Sequence, residues 1–342
     1  MKNFSVRNFF CALPLMFSVL LMQGCSSSPS YPESSISHTF KIIDENINLM
    51  WSINNIYVPQ DDFSPMMSAS SGLVCFLGDV VYPPDKELSC LSSETGGVLW
   101  QKLLGVPTGI LMDTSGIYVA YGGIAGLDKL DYFGNPDWSL SMMESSVKYL
   151  HFNDGQLQLL LLPERFLVVE KDSGKTIEDV KGEGIIYSDG AERFLINYGL
   201  ESKSLGLKEI NWRSNVSSNN IRLSPLFTED QILLRTGRVK GTLLVLDRDN
   251  GQVSWQTENT IISNIAFWPS KNIIFILTKD GQLLRVNSRS GDQSALLNFS
   301  PSPLILNGDS VVGGYELALD ESSNTLFVLL GDSRQLFAFR VE

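Results

Sequence analysis

Few residues in this 342-residue chain are of a type that could do chemistry, and their spacing keeps them apart. The two histidines, His38 and His151, are too few for a multi-histidine metal site and argue against a histidine-based triad. Acids sit side by side in "YVPQDDFSP" (Asp61, Asp62) and close together in "DRDNG" (Asp247, Asp249). These fit a solvated loop and a turn better than a metal loop. Cys75 and Cys90 lie on strand-like runs, "GLVCFLG" and "ELSCLSS", that flank the turn "DVVYPPDKE". Simple hairpin pairing puts them opposite each other, so a cross-strand disulfide is feasible outside the cytoplasm, with two buried free thiols as the alternative. No catalytic set, metal site or cofactor is expected from these residues.

The elements that must carry them belong to a well-filled globular chain: 43% of residues are hydrophobic and 19% charged. The formal net charge is −12, and removing residues 1–24, which carry Lys2 and Arg7 and no acid, deepens it to −14. Such a surface repels phosphate backbones, which excludes nucleic acid as the main partner.

Lys2 and Arg7 precede the apolar run "FFCALPLMFSVLLM" (Phe9 to Met22), the layout of a secretory signal and too short for a comfortable membrane span. Leu21, Met22, Gln23, Gly24 and Cys25 resemble a bacterial lipobox. That resemblance implies that residues 1–24 are removed and that Cys25 becomes the lipidated first residue. Residues 25–44 then form the anchor and a polar tether, and residues 45–342 the folded domain. The expected location is the bacterial cell envelope, facing the periplasm or the cell exterior.

The folded part repeats a phrase. "LSSETGGVLWQ" (Leu91 to Gln101) and "DRDNGQVSWQ" (Asp247 to Gln256) both place a turn glycine four residues before a tryptophan. Gly96 leads Trp100, Gly134 leads Trp138 and Gly251 leads Trp255, while Gly174 and Gly291 keep the turn without the tryptophan. Glycine-to-glycine steps are 38, 40 and 40 residues, with a 77-residue gap between Gly174 and Gly251 that holds one degenerate copy near Trp212. A period of about 40 residues in a chain of short strands and tight turns points to propeller blades. Each glycine closes the turn between the third and fourth strands of a blade, and each tryptophan opens the outermost strand and seals the joint to the next blade. "NLMWSINN" supplies Trp51 on an orphan strand that completes the last blade, whose own strands come from the C-terminus. The expected fold is all-β, a propeller of seven four-stranded blades, with eight as the alternative.

The phrase resembles the pyrroloquinoline-quinone-type propeller repeat over most of residues 45–342. That family holds two kinds of protein: quinone-dependent dehydrogenases, and non-enzymatic lipoproteins such as the scaffold subunit of the outer-membrane barrel assembly machine. The dehydrogenases share an adjacent Cys-Cys pair, a calcium with carboxylate ligands and a catalytic Asp. This chain has no Cys-Cys pair. The resemblance therefore implies a non-enzymatic scaffold binding envelope proteins and held to a membrane by its lipid. The alternative is a small-ligand sensor at the channel mouth or a quinone-dependent oxidoreductase. Three loops stand out as partner-binding candidates: Tyr82 at its proline-rich hairpin tip; Arg235, Arg238 and Lys240 clustered in "LLRTGRVKGT"; and Trp268, off the repeat phase beside Pro269.

Overall fold

A computed structural model describes residues 37–342, apart from 57–64, 80–85, 123–124, 143–145, 154, 163–164, 183, 190, 197–198, 205–209, 218–220, 238–240, 303–304, 307–309 and 312–313. Two N-terminal strands come first, β1 (Thr39–Ile42) and β2 (Ile47–Ile53). Blade 1 follows with β3 (Met67–Ser70), β4 (Leu73–Asp79), β5 (Lys86–Ser92) and β6 (Val98–Leu104). Blade 2 has β7 (Pro107–Asp113), β8 (Gly116–Tyr121), β9 (Ala125–Leu130) and β10 (Pro136–Met142). Blade 3 has β11 (Val147–Asn153), β12 (Gln156–Leu161), β13 (Arg165–Glu170) and β14 (Thr176–Lys181). Blade 4 has β15 (Ile185–Ser188), β16 (Glu192–Ile196), β17 (Gly199–Ser204) and β18 (Ile210–Ser217). Blade 5 has β19 (Ile221–Phe227), β20 (Gln231–Thr236), β21 (Leu243–Asp247) and β22 (Val253–Gln256). Blade 6 has β23 (Ala266–Trp268), β24 (Ile273–Leu277), β25 (Gln282–Asn287) and β26 (Gln293–Ser300). After a small hairpin of β27 (Ile305–Leu306) and β28 (Ser310–Val311), blade 7 has β29 (Tyr315–Asp320), β30 (Thr325–Leu330) and β31 (Gln335–Val341).

Every blade is an antiparallel meander in chain order, and β2 pairs with β31 to complete blade 7. The ring therefore has seven blades, and residues 177–220 hold one blade boundary and one blade, with no eighth. A correction concerns where the domain begins. The tether was expected to run to residue 44, but β1 pairs with β26 as a fifth strand of blade 6. Phe40 on β1 meets Phe299, Phe337 and Phe339 edge-on, so apolar burial draws this stretch into the disc.

The glycine–tryptophan phrase builds the joints. A Cβ on Gly96, Gly134, Gly174, Gly251 or Gly291 would meet the indole of Trp51, Trp100, Trp138, Trp212 or Trp255 respectively, each from the preceding blade around the ring. All five glycines have positive φ, so they supply both the turn and the flat floor on which the ring lies. The indole N–H then donates to a backbone carbonyl of the same turn: Ser93, Tyr132, Lys171, Arg248 and Ser288 in that order. One further device is absent from the sequence pattern. The outer strand carries one extra residue just before the tryptophan, as at Leu99 between the partners Val98 and Trp100, and Asp137 between Pro136 and Trp138. Such a bulge turns the following side chain toward the neighbouring blade. Where blade 3 lacks the tryptophan, Glu178 occupies its place and pairs with Arg193 of blade 4.

Inner strands are tied by side chain to backbone. Glu316 accepts from Met66 N and Met67 N (2.7 Å to the latter) where blade 7 meets blade 1. Asn264 exchanges two bonds with Leu317, and Ser188 N donates to Gln158. These polar residues are structural, each satisfying backbone groups that no ladder reaches.

Cys75 and Cys90 face each other across β4 and β5, with Cα atoms 4.1 Å apart, and form a disulfide. They are separated by 15 residues, so reduction is expected to cost about 3 kcal/mol of stability, read as a fall in the urea midpoint with reductant. An unchanged midpoint would show that the neighbouring ladder holds blade 1 unaided.

Candidate functional site

The inner strands of all seven blades together enclose a cavity of about 580 Å³. Such a size lies within the usual range of small-molecule sites, roughly 300–1,000 Å³. Its wall takes residues from every blade, among them Met67, Leu111, His151, Tyr187, Phe227, Phe267 and Leu319. The exposed lining residues Glu229, Pro269 and Glu321 follow the ends of β19, β23 and β29, which marks the mouth.

One side of the wall is aromatic. Tyr187 and Phe227, from blades 4 and 5, stack with centroids 4.1 Å apart and planes at 8°. The His151 ring, from blade 3, stands edge-on to both at 6.2 and 5.7 Å. Burial pushes its pKa down to about 3, so the imidazole stays neutral at any physiological pH. Its Nε2 has no hydrogen-bond partner among the described residues. Leaving such an atom unsatisfied costs about 1–3 kcal/mol, which is rare in a settled core.

Most of the residues singled out from sequence do not converge here. Cys25, Tyr82, Arg238 and Lys240 lie outside the described residues. Arg235 was expected on an exposed loop; it lies on β20, is 4% exposed, and lines the cavity. Trp268 was expected in a loop; it ends the innermost strand of blade 6, is 2% exposed, and packs on Phe275 of its own blade with Lys271 Nζ 3.8 Å above its ring. Neither offers a surface to a partner protein in this arrangement. His151, Tyr187 and Phe227 were missed because blade phasing reveals strand order but not which inner residues point at the axis. Among the described residues no cluster of three or more His, Cys, Asp or Glu could hold a metal, and no helix is long and apolar enough to cross a membrane.

With seven blades on the page and the glycine–tryptophan pair at five of their joints, the repeat can be compared with known proteins. Residues 173–301 match the family model described as outer membrane protein assembly factor BamB. The match runs from the last turn of blade 3 to the end of blade 6, the part that holds the strongest C-terminal copy of the phrase. Among solved structures, BamB from Moraxella catarrhalis is 12% identical, covering 86% of this chain and 98% of that one with a TM-score of 0.46. A chain of the mitotic checkpoint complex is 11% identical, covering 88% of this chain and 96% of that one with a TM-score of 0.61. That second likeness shows the fold alone. No curated protein matches the chain.

Proposed function

We propose that the chain is a non-enzymatic propeller that scaffolds protein contacts in the bacterial cell envelope, anchored through a lipid on Cys25. The observation that carries the scaffold reading is an apolar rim. Val98, Leu99 and Leu103 on edge strand β6 are all more than half exposed, and Phe133 is 81% exposed. Phe133 belongs to the turn of blade 2 on which Trp100 of β6 rests. Exposed apolar patches of this kind mark protein-interaction sites, and we read this outer edge as one. The net charge of −12 favours a partner whose contact rim is basic. The match to the barrel-assembly factor over residues 173–301 supports an envelope setting, and the lipobox-like run to Cys25 supports the anchor.

The test is affinity co-purification of the tagged full chain from detergent-solubilised envelopes, beside Cys25→Ser and a Leu103→Asp/Phe133→Asp double variant. A stoichiometric envelope protein is expected with the unsubstituted chain and is lost from the double variant, while Cys25→Ser leaves the membrane fraction. A partnerless monomer, or a partner retained by the double variant, overturns the reading.

A further inference from the structure

The cavity on the propeller axis carries a second function, independent of the rim. We infer that its mouth binds a small organic cation with an apolar body, the charge facing Glu229 and Glu321 and the body lying against Phe227 and Phe267.

The carboxylates set the sign of the ligand. Glu229 and Glu321 are exposed, line the cavity, and follow the inner strands of blades 5 and 7. Glu321 accepts a hydrogen bond from Ser270 Oγ at 3.3 Å, and neither acid has an ion-pair partner among the described residues. Asp230, exposed beside Glu229, adds negative charge to the same turn. Lys271, in the blade 6 turn between them, lies over the Trp268 ring and does not line the cavity. Just below the acids the wall is aromatic. Phe227 ends its inner strand two residues before Glu229, and Phe267 is next to last on the inner strand of blade 6; both are half-buried and line the cavity. Aromatic rings beneath a carboxylate rim attract an organic cation twice over, through the negative faces of the rings and through the acids. Positive charge in the wall sits deeper. Arg235 is the fifth residue of β20, roughly 13 Å along that strand from its mouth end, and is already engaged by a neighbour. His151 is kept neutral by burial and so adds no charge. An anion is repelled at the entrance, and a neutral ligand gains nothing from either acid.

The full chain is titrated with berberine, a flat quaternary cation, and separately with 1-anilinonaphthalene-8-sulfonate, an aromatic anion of similar size. Both fluoresce more strongly in apolar surroundings. Saturable binding of berberine is expected, about tenfold tighter than that of the sulfonate. The double variant Glu229→Gln/Glu321→Gln, confined to exposed side chains, is expected to weaken berberine about tenfold and to leave the sulfonate no weaker. Asp249→Asn/Asp292→Asn removes the same charge from exposed outer turns of blades 5 and 6 and is expected to leave berberine binding unchanged. Phe267→Leu keeps the wall apolar without its ring and is expected to weaken berberine several-fold. Absence of saturable berberine binding overturns the inference. So does a sulfonate bound as tightly, which shows a cavity without preference for charge. Equal losses in the two acid variants overturn it as well, since they show attraction to an acidic protein at large. Berberine held unchanged by Glu229→Gln/Glu321→Gln, or by a folded Phe267→Leu, sits elsewhere and overturns it too. If Phe267→Leu does not fold, the exposed-acid variants decide the matter alone.

Discussion

Trp212→Ala is expected to destabilise the propeller by about 3–5 kcal/mol, the usual cost of deleting a buried large aromatic. Trp212 is the most buried of the five joint tryptophans, packed on Gly251 and bonded through its indole nitrogen to Arg248 O. The joint it seals also includes Arg248, which pairs with Asp189 and lies over the rings of Tyr187 and Phe194. The partner substitution Gly251→Ala adds a diagnostic. An alanine there suffers twice: its φ is +69°, and its Cβ would overlap the Trp212 indole. Only the second penalty depends on the tryptophan. In a Trp212→Ala background, Gly251→Ala should therefore cost about 1–2 kcal/mol, the left-handed backbone penalty, and considerably more in the unsubstituted chain. Urea unfolding of the four proteins measures the coupling. Additive effects would show that glycine and tryptophan are not one unit.

Asp332→Ala should be comparably damaging, and Asp332→Asn should change how stability depends on pH. Asp332 lies in the turn between β30 and β31, and its carboxylate meets His38 Nε2 at 2.9 Å with neither side chain exposed. The other imidazole nitrogen faces Pro301 O at 2.6 Å, so both nitrogens point at acceptors and the ring is held as a cation. Burial by itself pushes the His38 pKa down, but the Asp332 hydrogen bond and charge, with the Pro301 carbonyl, outweigh it and raise the pKa above 6.5. A raised histidine contributes stability that is complete below the unfolded value of about 6.5 and is lost as pH climbs through the folded value. The unsubstituted protein should lose stability from about pH 6.5 upward, and Asp332→Asn should flatten that slope. Removing the carboxylate altogether leaves a buried cation unpaired, typically about 3–5 kcal/mol. Identical pH profiles for the two proteins would show that the pair does not titrate in this range.

The ring was legible because its joints are written locally. A turn glycine four residues ahead of a tryptophan sets the phase at Gly96, Gly134 and Gly251, and Trp51 names the strand that closes blade 7. What escaped depends on distant partners. β1 has neither a glycine turn nor a tryptophan, and its pairing lies about 260 residues away, so "HTFKII" looks like the end of a tether. Arg235 sits in a run of basic residues, and local charge reads as surface, yet its strand is the second of a blade and buried on both faces. Trp268 falls off the repeat phase because it lies on the innermost strand of blade 6, packed on Phe275, and not on an outer strand behind a turn glycine. The cavity wall was hidden for a related reason: strand alternation separates two faces of a sheet, while the propeller axis meets the inner strand at its edge.

The arrangement of the first two strands has a mechanical meaning. β1 lies on blade 6 and β2 on blade 7, and His38 just ahead of them bonds Pro301 beside the first blade and Asp332 in the second. Among the described residues, a pull arriving from the N-terminal side meets the bonds of His38 before it meets either ladder. The load is then shared by two blades at the seam where the ring is shut, so the point where the protein would be tugged and the point where it could spring open are secured by the same clasp.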